Sequence, residues 1–274
     1  MQNLKEILYM RNKLLENSPL IHSITNPISI NQCANVIIAL GAKPIMAEHP
    51  LEVSNITKKS DALAINLGNI TDARIKSIEI SSKTAYENNI PFIIDLVGVG
   101  ISDLRLNLSK NIINNYKPNV IKGNMSEIKS FLNLKSNPKG VDVGEKDKIN
   151  LNNLDNSVKI AKNLSNKTNS IVLITGKYDI ISNSDKTYIV KNGSEKLSNI
   201  TGSGCMLTNI VSCFLSVSKN IESVLLSTLI INIAAELSQN AKGPGSFLVE
   251  FLDNIYNISN EDILKYSNFL IYKE

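Results

Sequence analysis

The segment best equipped for chemistry is Thr201-Gly202-Ser203-Gly204-Cys205. It precedes an apolar stretch from Met206 to about Val217, in which Leu207, Ile210, Val211, Phe214 and Leu215 fall at helical spacing on one face. A glycine-rich turn that opens a helix presents unpaired backbone N–H groups and the positive end of the helix dipole. That is a site for an anion such as phosphate. A cysteine in the first turn would have its thiolate stabilised by the same field. Such turns are common, however, and a free cysteine is often only a small buried hydrophobe.

Other reactive side chains stand where apolar strands stop. Asn66-Leu67-Gly68, Asp95 to Gly100, Lys122 to Glu127, and Thr175-Gly176 each follow a short apolar run. Ligands of open parallel sheets bind outside the carboxyl ends of the strands. Asp95 and Glu127 offer hard oxygen ligands, direct or through water, for magnesium. Lys122 offers a positive charge for a phosphate oxygen. Taken singly, each has a plainer reading. Asp95 could cap a turn, Asn124 with Glu127 matches a capping box, Lys122 could be a solvated surface lysine, and Met46 could be core. Their co-occurrence at strand ends favours a magnesium–nucleotide site. No GxxxxGK[ST] is present, and no GxGxxG follows a strand and opens a helix.

The elements that must position these residues alternate. Strands are expected at 20–24, 43–46, 61–67, 91–95, 119–121 and 171–176, separated by amphipathic helices. One helix near 30–38 places Ile30, Cys33, Ala34, Ile37 and Ile38 on one face, with Gly41 past its end. Thr71-Asp72 caps another, running to about Asn88. Residues 179–182 and 186–190 flank Asn183-Ser184-Asp185 as a hairpin. Lys135 to Asn156 is polar and is the candidate lid. From Gly204 onward the chain reads as predominantly helical. The pattern argues for an α/β fold, a mostly parallel central sheet with helices on both faces, and for a single domain over 1–274.

Composition narrows the class. The net charge of +4 is small and no basic stripe forms, so a nucleic-acid partner is not expected. Cys33, Cys205 and Cys213 form no CxxC pair, and an odd count argues against a disulfide framework. A reducing, cytoplasmic setting fits. With two histidines, His22 and His49, a zinc site of His and Cys is improbable. Residues 1–6 lack a signal-peptide layout. The apolar run near Val224 to Ala235, interrupted by Ser227, Thr228 and Asn232, reads as a buried helix and not as a membrane span.

At these residues a resemblance becomes specific. His22-Ser23-Ile24-Thr25-Asn26, Ala39 to Ala47, Asp95 to Gly100, Lys122 to Glu127, Thr201 to Cys205 and Ala241 to Phe247 follow one another as in hydroxyethylthiazole kinases, over roughly residues 15 to 257. The resemblance implies a ribokinase-like three-layer sandwich and ATP-dependent phosphorylation of the primary hydroxyl of 4-methyl-5-(2-hydroxyethyl)thiazole, in thiamine salvage. It also implies a homotrimer with an active site at each subunit interface. By motif, Met46 and Asn26 would line the thiazole pocket and Gly202 would touch the substrate. Lys122 and Thr175 would contact ATP, and Asp95 and Glu127 would serve magnesium. Cys205 would stand where most ribokinase-like kinases carry an aspartate base.

Three positions depart from the family's pattern. Leu96 replaces its usual proline, which is expected to loosen the turn. Lys122 replaces its usual arginine, losing the bidentate fork and weakening nucleotide affinity. Ser23 stands where cysteine is frequent, with little effect expected. Other readings stay open: a kinase of the same fold for another small alcohol such as hydroxymethylpyrimidine, an ADP-dependent lyase, or a non-catalytic nucleotide-binding protein. A thiol redox enzyme built on Cys205 lacks a resolving cysteine nearby in sequence.

Overall fold

Helices and strands alternate through the first two-thirds of the chain. The computed structural model describes residues 2–138, 140 and 142–273. In chain order the elements are α1 (Gln2–Asn17), β1 (Leu20–Ile24), α2 (Ile30–Ala39), β2 (Lys43–Ile45), α3 (Val53–Lys58), β3 (Ala62–Asn66), α4 (Asp72–Glu87), β4 (Phe92–Asp95), α5 (Asp103–Tyr116), β5 (Val120–Asn124) and α6 (Met125–Phe131). There follow α7 (Leu154–Thr168), β6 (Ile171–Thr175), β7 (Asp179–Ser182), β8 (Thr187–Val190), α8 (Ser203–Leu215), α9 (Ile221–Leu237), α10 (Pro244–Asn257), α11 (Asn260–Tyr266) and β9 (Phe269–Ile271).

The strands form one sheet in the order β2-β1-β3-β4-β5-β6-β7-β8-β9. The pairings from β2 through β6 are parallel. The β7–β8 hairpin and β9 complete the sheet antiparallel. Successive strand residues point to opposite faces, and both faces are buried. Ala62, Ala64, Ile93, Val120 and Leu173 face a core built with α1, α2, α8, α9 and α10. Leu63, Ile65, Ile94, Ile121 and Val172 face a second core built with α4, α5, α6 and α7. The expected three layers are thus present.

Local chemistry sets the boundaries. The Thr71 side chain accepts the Arg74 N–H at the start of α4, and Asn220 does the same for Ser223 at α9. In the hairpin turn, Asn183 Oδ1 accepts the N–H groups of Asp185 and Lys186. Helix α9 is buried from Ser223 to Ala235, and among the described residues no helix is long and apolar enough to cross a membrane.

The chain from Gly204 onward is predominantly helical, as expected, and it ends in the short strand β9, which pairs with β8; three residues are too few for a periodic signal. The N-terminal helix α1, which buries Ile7, Met10 and Leu14 in the first core, has no counterpart in the sequence reading. Ile38 does not share the buried face of α2: Cys33, Val36 and Ile37 are buried, and Ile38 is 56% exposed. In the lid candidate 135–156, residues 139 and 141 lie outside the described residues, and the helix α7 begins at Leu154. Asp147 anchors the rest, accepting from Ser126 Oγ, Lys129 Nζ and the Asn137 N–H.

Candidate active site

Strand register gathers the first residues. Asn66 pairs with Asp95 across β3 and β4, and Asp95 pairs with Lys122 across β4 and β5. The three form a row at the carboxyl ends of adjacent parallel strands. By alternation they point to the same face as Ala64, Ile93 and Val120, under α8. All three are buried. Thr175, at the end of β6, lies one strand further along on that face.

One oxygen of Asp95 takes every bond. Its Oδ2 accepts from Lys122 Nζ at 2.8 Å, Asn66 Nδ2 at 3.1 Å and Thr208 Oγ1 at 2.7 Å. Its Oδ1 is buried and accepts no hydrogen bond. Lys122 is therefore no surface lysine. Burial pushes its ammonium down, but Asp95 beside it, helped by Cys205 and Glu127, outweighs this and holds it above the ordinary value. The carboxylate beside it thus keeps the buried ammonium charged.

The first turn of α8 closes over this row. Gly202 caps the helix with φ +86°, and a β-carbon there would meet Ser29 Cβ at 2.5 Å, so only glycine fits. A β-carbon at Gly204 would lie 3.5 Å from Lys122 Nζ, which places the ammonium beside the helix N-terminus. Two positive features thus converge on one space, as anion binding requires. Cys205 Sγ accepts from Asn66 Nδ2 at 3.3 Å. Its thiol is pushed up from the ordinary value by burial and by Asp95, against the opposing influence of Ser29, Lys122 and Asn66. This corrects the expectation of a stabilised thiolate: desolvation and Asp95 outweigh the neighbouring donors and Lys122, and Cys205 rests as a thiol.

Glu127 meets the plainer of its two readings. It closes a capping box with Asn124, and its two oxygens accept the N–H groups of Gly98, at 2.9 Å, and Asn124, at 2.8 Å. Burial, with Asp95 adding, pushes its carboxyl up to about 8 despite those donors. Leu96 does not loosen its turn. Its N–H donates to Lys122 O at 2.8 Å, a bond proline cannot make, and its side chain is buried in the second core.

The remaining residues flank the row. Asn26 follows β1, and its carboxamide abuts Gly68 while its carbonyl accepts the Ser29 N–H beneath Gly202. Met46 follows the edge strand β2, half-buried against the first core. Sequence reasoning assigns no role to Asn66, Thr208, His22 or Asp179. His22 is buried; its Nε2 donates to Ala47 O and its Nδ1 accepts from Thr57 Oγ1, and burial lowers its pKa, so a neutral ring fixes the chain after Met46. Asp179 is buried beside Thr175, with Oδ1 accepting from the Gly176 N–H and Oδ2 from Asn232 Nδ2. Of these, Asn66 carried a sequence signal as the polar end of an apolar strand, and His22 as the first residue of a family-like segment.

The profile of the hydroxyethylthiazole kinase family matches residues 12–261. Hydroxyethylthiazole kinase 2 of Clostridium botulinum is 55% identical over 258 residues, covering 94% of this chain and 97% of that one. The structure of a hydroxyethylthiazole kinase protein from Pyrococcus horikoshii superposes with a TM-score of 0.89 at 30% identity, over 98% of this chain and 100% of that one. A ribokinase-like superfamily protein from Enterococcus faecalis shares the fold alone, with a TM-score of 0.64 at 12% identity over 89% of each chain. On sequence, fold and the arrangement of its strand ends, this chain belongs to the hydroxyethylthiazole kinase family.

Proposed function

We propose that this chain, as a single kinase domain, transfers the γ-phosphoryl group of ATP to the primary hydroxyl of 4-methyl-5-(2-hydroxyethyl)thiazole. The observation that carries the reading is the buried Asp95–Lys122 pair, at 2.8 Å, set beneath the glycine turn of α8. Phosphoryl transfer depends on positioning and on charge stabilisation more than on covalent chemistry. The N–H groups of Gly202 to Cys205 and the Lys122 ammonium receive the negative charge of the transferring group. Thr175 contacts the nucleotide from the end of β6. Asn26, Met46 and Gly202 hold the thiazole at the β1–β2 end of the sheet.

Magnesium fits the residues present. The unpartnered Oδ1 of Asp95 is a hard oxygen left open by every protein donor. Both oxygens of Glu127 already accept backbone N–H groups, so Glu127 would serve a metal through water. When bound, magnesium supplies charge neutralisation at the phosphate oxygens. Cys205 accepts the hydrogen bond of the substrate hydroxyl and turns its oxygen toward the γ-phosphorus. In the thiolate fraction it also takes the proton, and because that fraction is small its share of the rate enhancement is modest.

The assembly belongs to the same reading. Met46 lies at the end of the sheet's edge strand, and Ile28, Ile38 and Leu51 are exposed on α2 and the segments near β2. A homotrimer would cover such side chains and complete the thiazole pocket across an interface. Three free, buried cysteines suit a reducing cytoplasm. The test is ADP release with magnesium, ATP and the thiazole alcohol, with the product identified by mass and hydroxymethylpyrimidine run in parallel. Thiazole phosphate formed only with protein supports the reading. ATP binding without that product, or phosphorylated pyrimidine alone, overturns it. Sedimentation analysis of the same sample tests the trimer.

A further inference from the structure

We propose that Asn66 is a positioning residue for this reaction: its carboxamide, tethered to the Asp95 carboxylate, holds the Cys205 sulfur in one arrangement. The inference rests on the kinase reading above and deepens it. Asn66 is buried at the end of β3, and three bonds fix its amide. Oδ1 accepts the Gly68 N–H at 2.8 Å. A backbone N–H can only donate, so this bond decides which end of the amide is oxygen and aims Nδ2 the other way. The two hydrogens of Nδ2 then meet two acceptors, Asp95 Oδ2 at 3.1 Å and Cys205 Sγ at 3.3 Å.

The turn that carries Asn66 is itself braced. Arg74 Nη1 donates to Gly68 O and Asn69 O, and Nη2 donates to Asn66 O. The amide therefore has one orientation and little freedom to leave it. A sulfur that accepts the Asn66 N–H has its own proton directed elsewhere, and one lobe of its electron density is fixed. Negative charge that gathers on sulfur during transfer meets an N–H already in place, with no reorganisation at that moment. Among the described residues no other side chain bonds both Asp95 and Cys205. Loss of Asn66 frees the sulfur without removing a group assigned to bind either substrate.

The measurement is steady-state kinetics on the full chain for wild type, Asn66→Ala, Asn66→Ser, Cys205→Ala and the Asn66→Ala/Cys205→Ala double variant, each first shown to unfold cooperatively. Asn66→Ala is expected to lower kcat about tenfold with KM for ATP and for the alcohol within about threefold of wild type, and to cost under about twofold in the Cys205→Ala background. Asn66→Ser can still take the Gly68 N–H but falls short of the sulfur, so it is expected to match Asn66→Ala. Wild-type kcat in the serine variant would mean that Asn66 only holds the turn, and the proposal fails. Additive losses in the double variant, or an unchanged kcat in Asn66→Ala, overturn it as well. A wild type that makes no thiazole phosphate overturns the kinase reading first and this role with it, which separates the two failures.

Discussion

Asp95 and Asp179 are both buried carboxylates at the same edge of one sheet, and they are held in opposite ways. Asp95 faces an ammonium at 2.8 Å, crowds three donors onto one oxygen and leaves the other bare. Asp179 shares its bonds evenly, one oxygen to the Gly176 N–H and one to the Asn232 amide, with no cation bonded to it. Burial accordingly pushes Asp179 up to about 6, against those donors and the more distant Lys122. The first arrangement leaves one carboxylate oxygen bare beside a cation; the second fastens a turn, the one that carries Thr175, to α9. Burial alone therefore does not mark a reactive carboxylate. An unbalanced set of partners does.

The largest effect should come from breaking the charged pair. Lys122→Met leaves Asp95 buried without its cation, which costs about 3–5 kcal/mol of stability. Thiazole phosphate formation should be lost. Adding Asp95→Asn removes the stranded charge, so the double variant should recover most of the stability and none of the activity. Urea denaturation and product analysis measure the two separately. A Lys122→Met protein as stable as wild type would erase the contrast with Asp179.

Asp179 makes the opposite electrostatic prediction. Its folded pKa, about 6, lies above the ordinary value of 3.8, so the folded state binds the proton more tightly. The resulting stabilisation is fully present below pH 3.8 and is lost as pH rises through 6. Asp179→Asn removes this pH dependence. Relative to wild type the variant should gain stability between acid and neutral pH, by at most about 3 kcal/mol, less whatever the changed Asn232 contact costs. Denaturation midpoints at several pH values measure that difference. A flat difference across the range would mean that folding leaves the affinity of Asp179 for its proton unchanged, its two donors offsetting its burial.

Two cysteines on one helix sharpen what the charged cluster does for chemistry. Cys205 sits among Asn66, Ser29 and Lys122, whereas Cys213, two turns on, lies wholly in the apolar core. Cys205→Ala should lower kcat by about 10- to 100-fold and keep measurable turnover, since a thiol that rests protonated is a modest base. Cys205→Asp should stay active. Cys213→Ala should leave kcat unchanged and cost about 1–2 kcal/mol of stability through the small cavity it opens. Complete loss of turnover in both Cys205 variants, with folding and ATP binding intact, would show that the sulfur is indispensable.

Much of the cluster is legible in sequence because its members end apolar strands. Phe92-Ile93-Ile94 stops at Asp95, Val120-Ile121 stops at Lys122, and Ala62 to Ile65 stops at Asn66. The glycines before α8 are equally visible. What stays hidden is set by contacts between distant parts of the chain. Asn66 reaches Cys205 across 139 residues and Thr208 reaches Asp95 across 113. The protonated state of Cys205 is hidden for the same reason, since the burial that opposes its thiolate comes from β3, β4 and α2 packing on α8. Leu96 illustrates the limit from the other side. Its departure from proline looks like a weakness until the register shows its N–H adding a rung to the sheet.

Thr208 offers the finest test of the contrast between the two carboxylates. It lies on α8 one turn beyond Gly204 and donates to Asp95 Oδ2 at 2.7 Å, with Gly204 O, at 3.1 Å, as its alternative acceptor. Thr208→Val keeps the shape and removes the donor. Asp95 retains Lys122 and Asn66 on the same oxygen, so the loss should be about 1 kcal/mol of stability, the scale of one replaceable hydrogen bond. If three donors on one oxygen serve to turn the other outward, the variant should also need more magnesium for half-maximal activity, because the carboxylate gains freedom to rotate. An unchanged magnesium requirement together with the stability loss would assign Thr208 to anchoring α8 on the sheet. The bare oxygen of Asp95 would then owe its direction to Lys122 and Asn66.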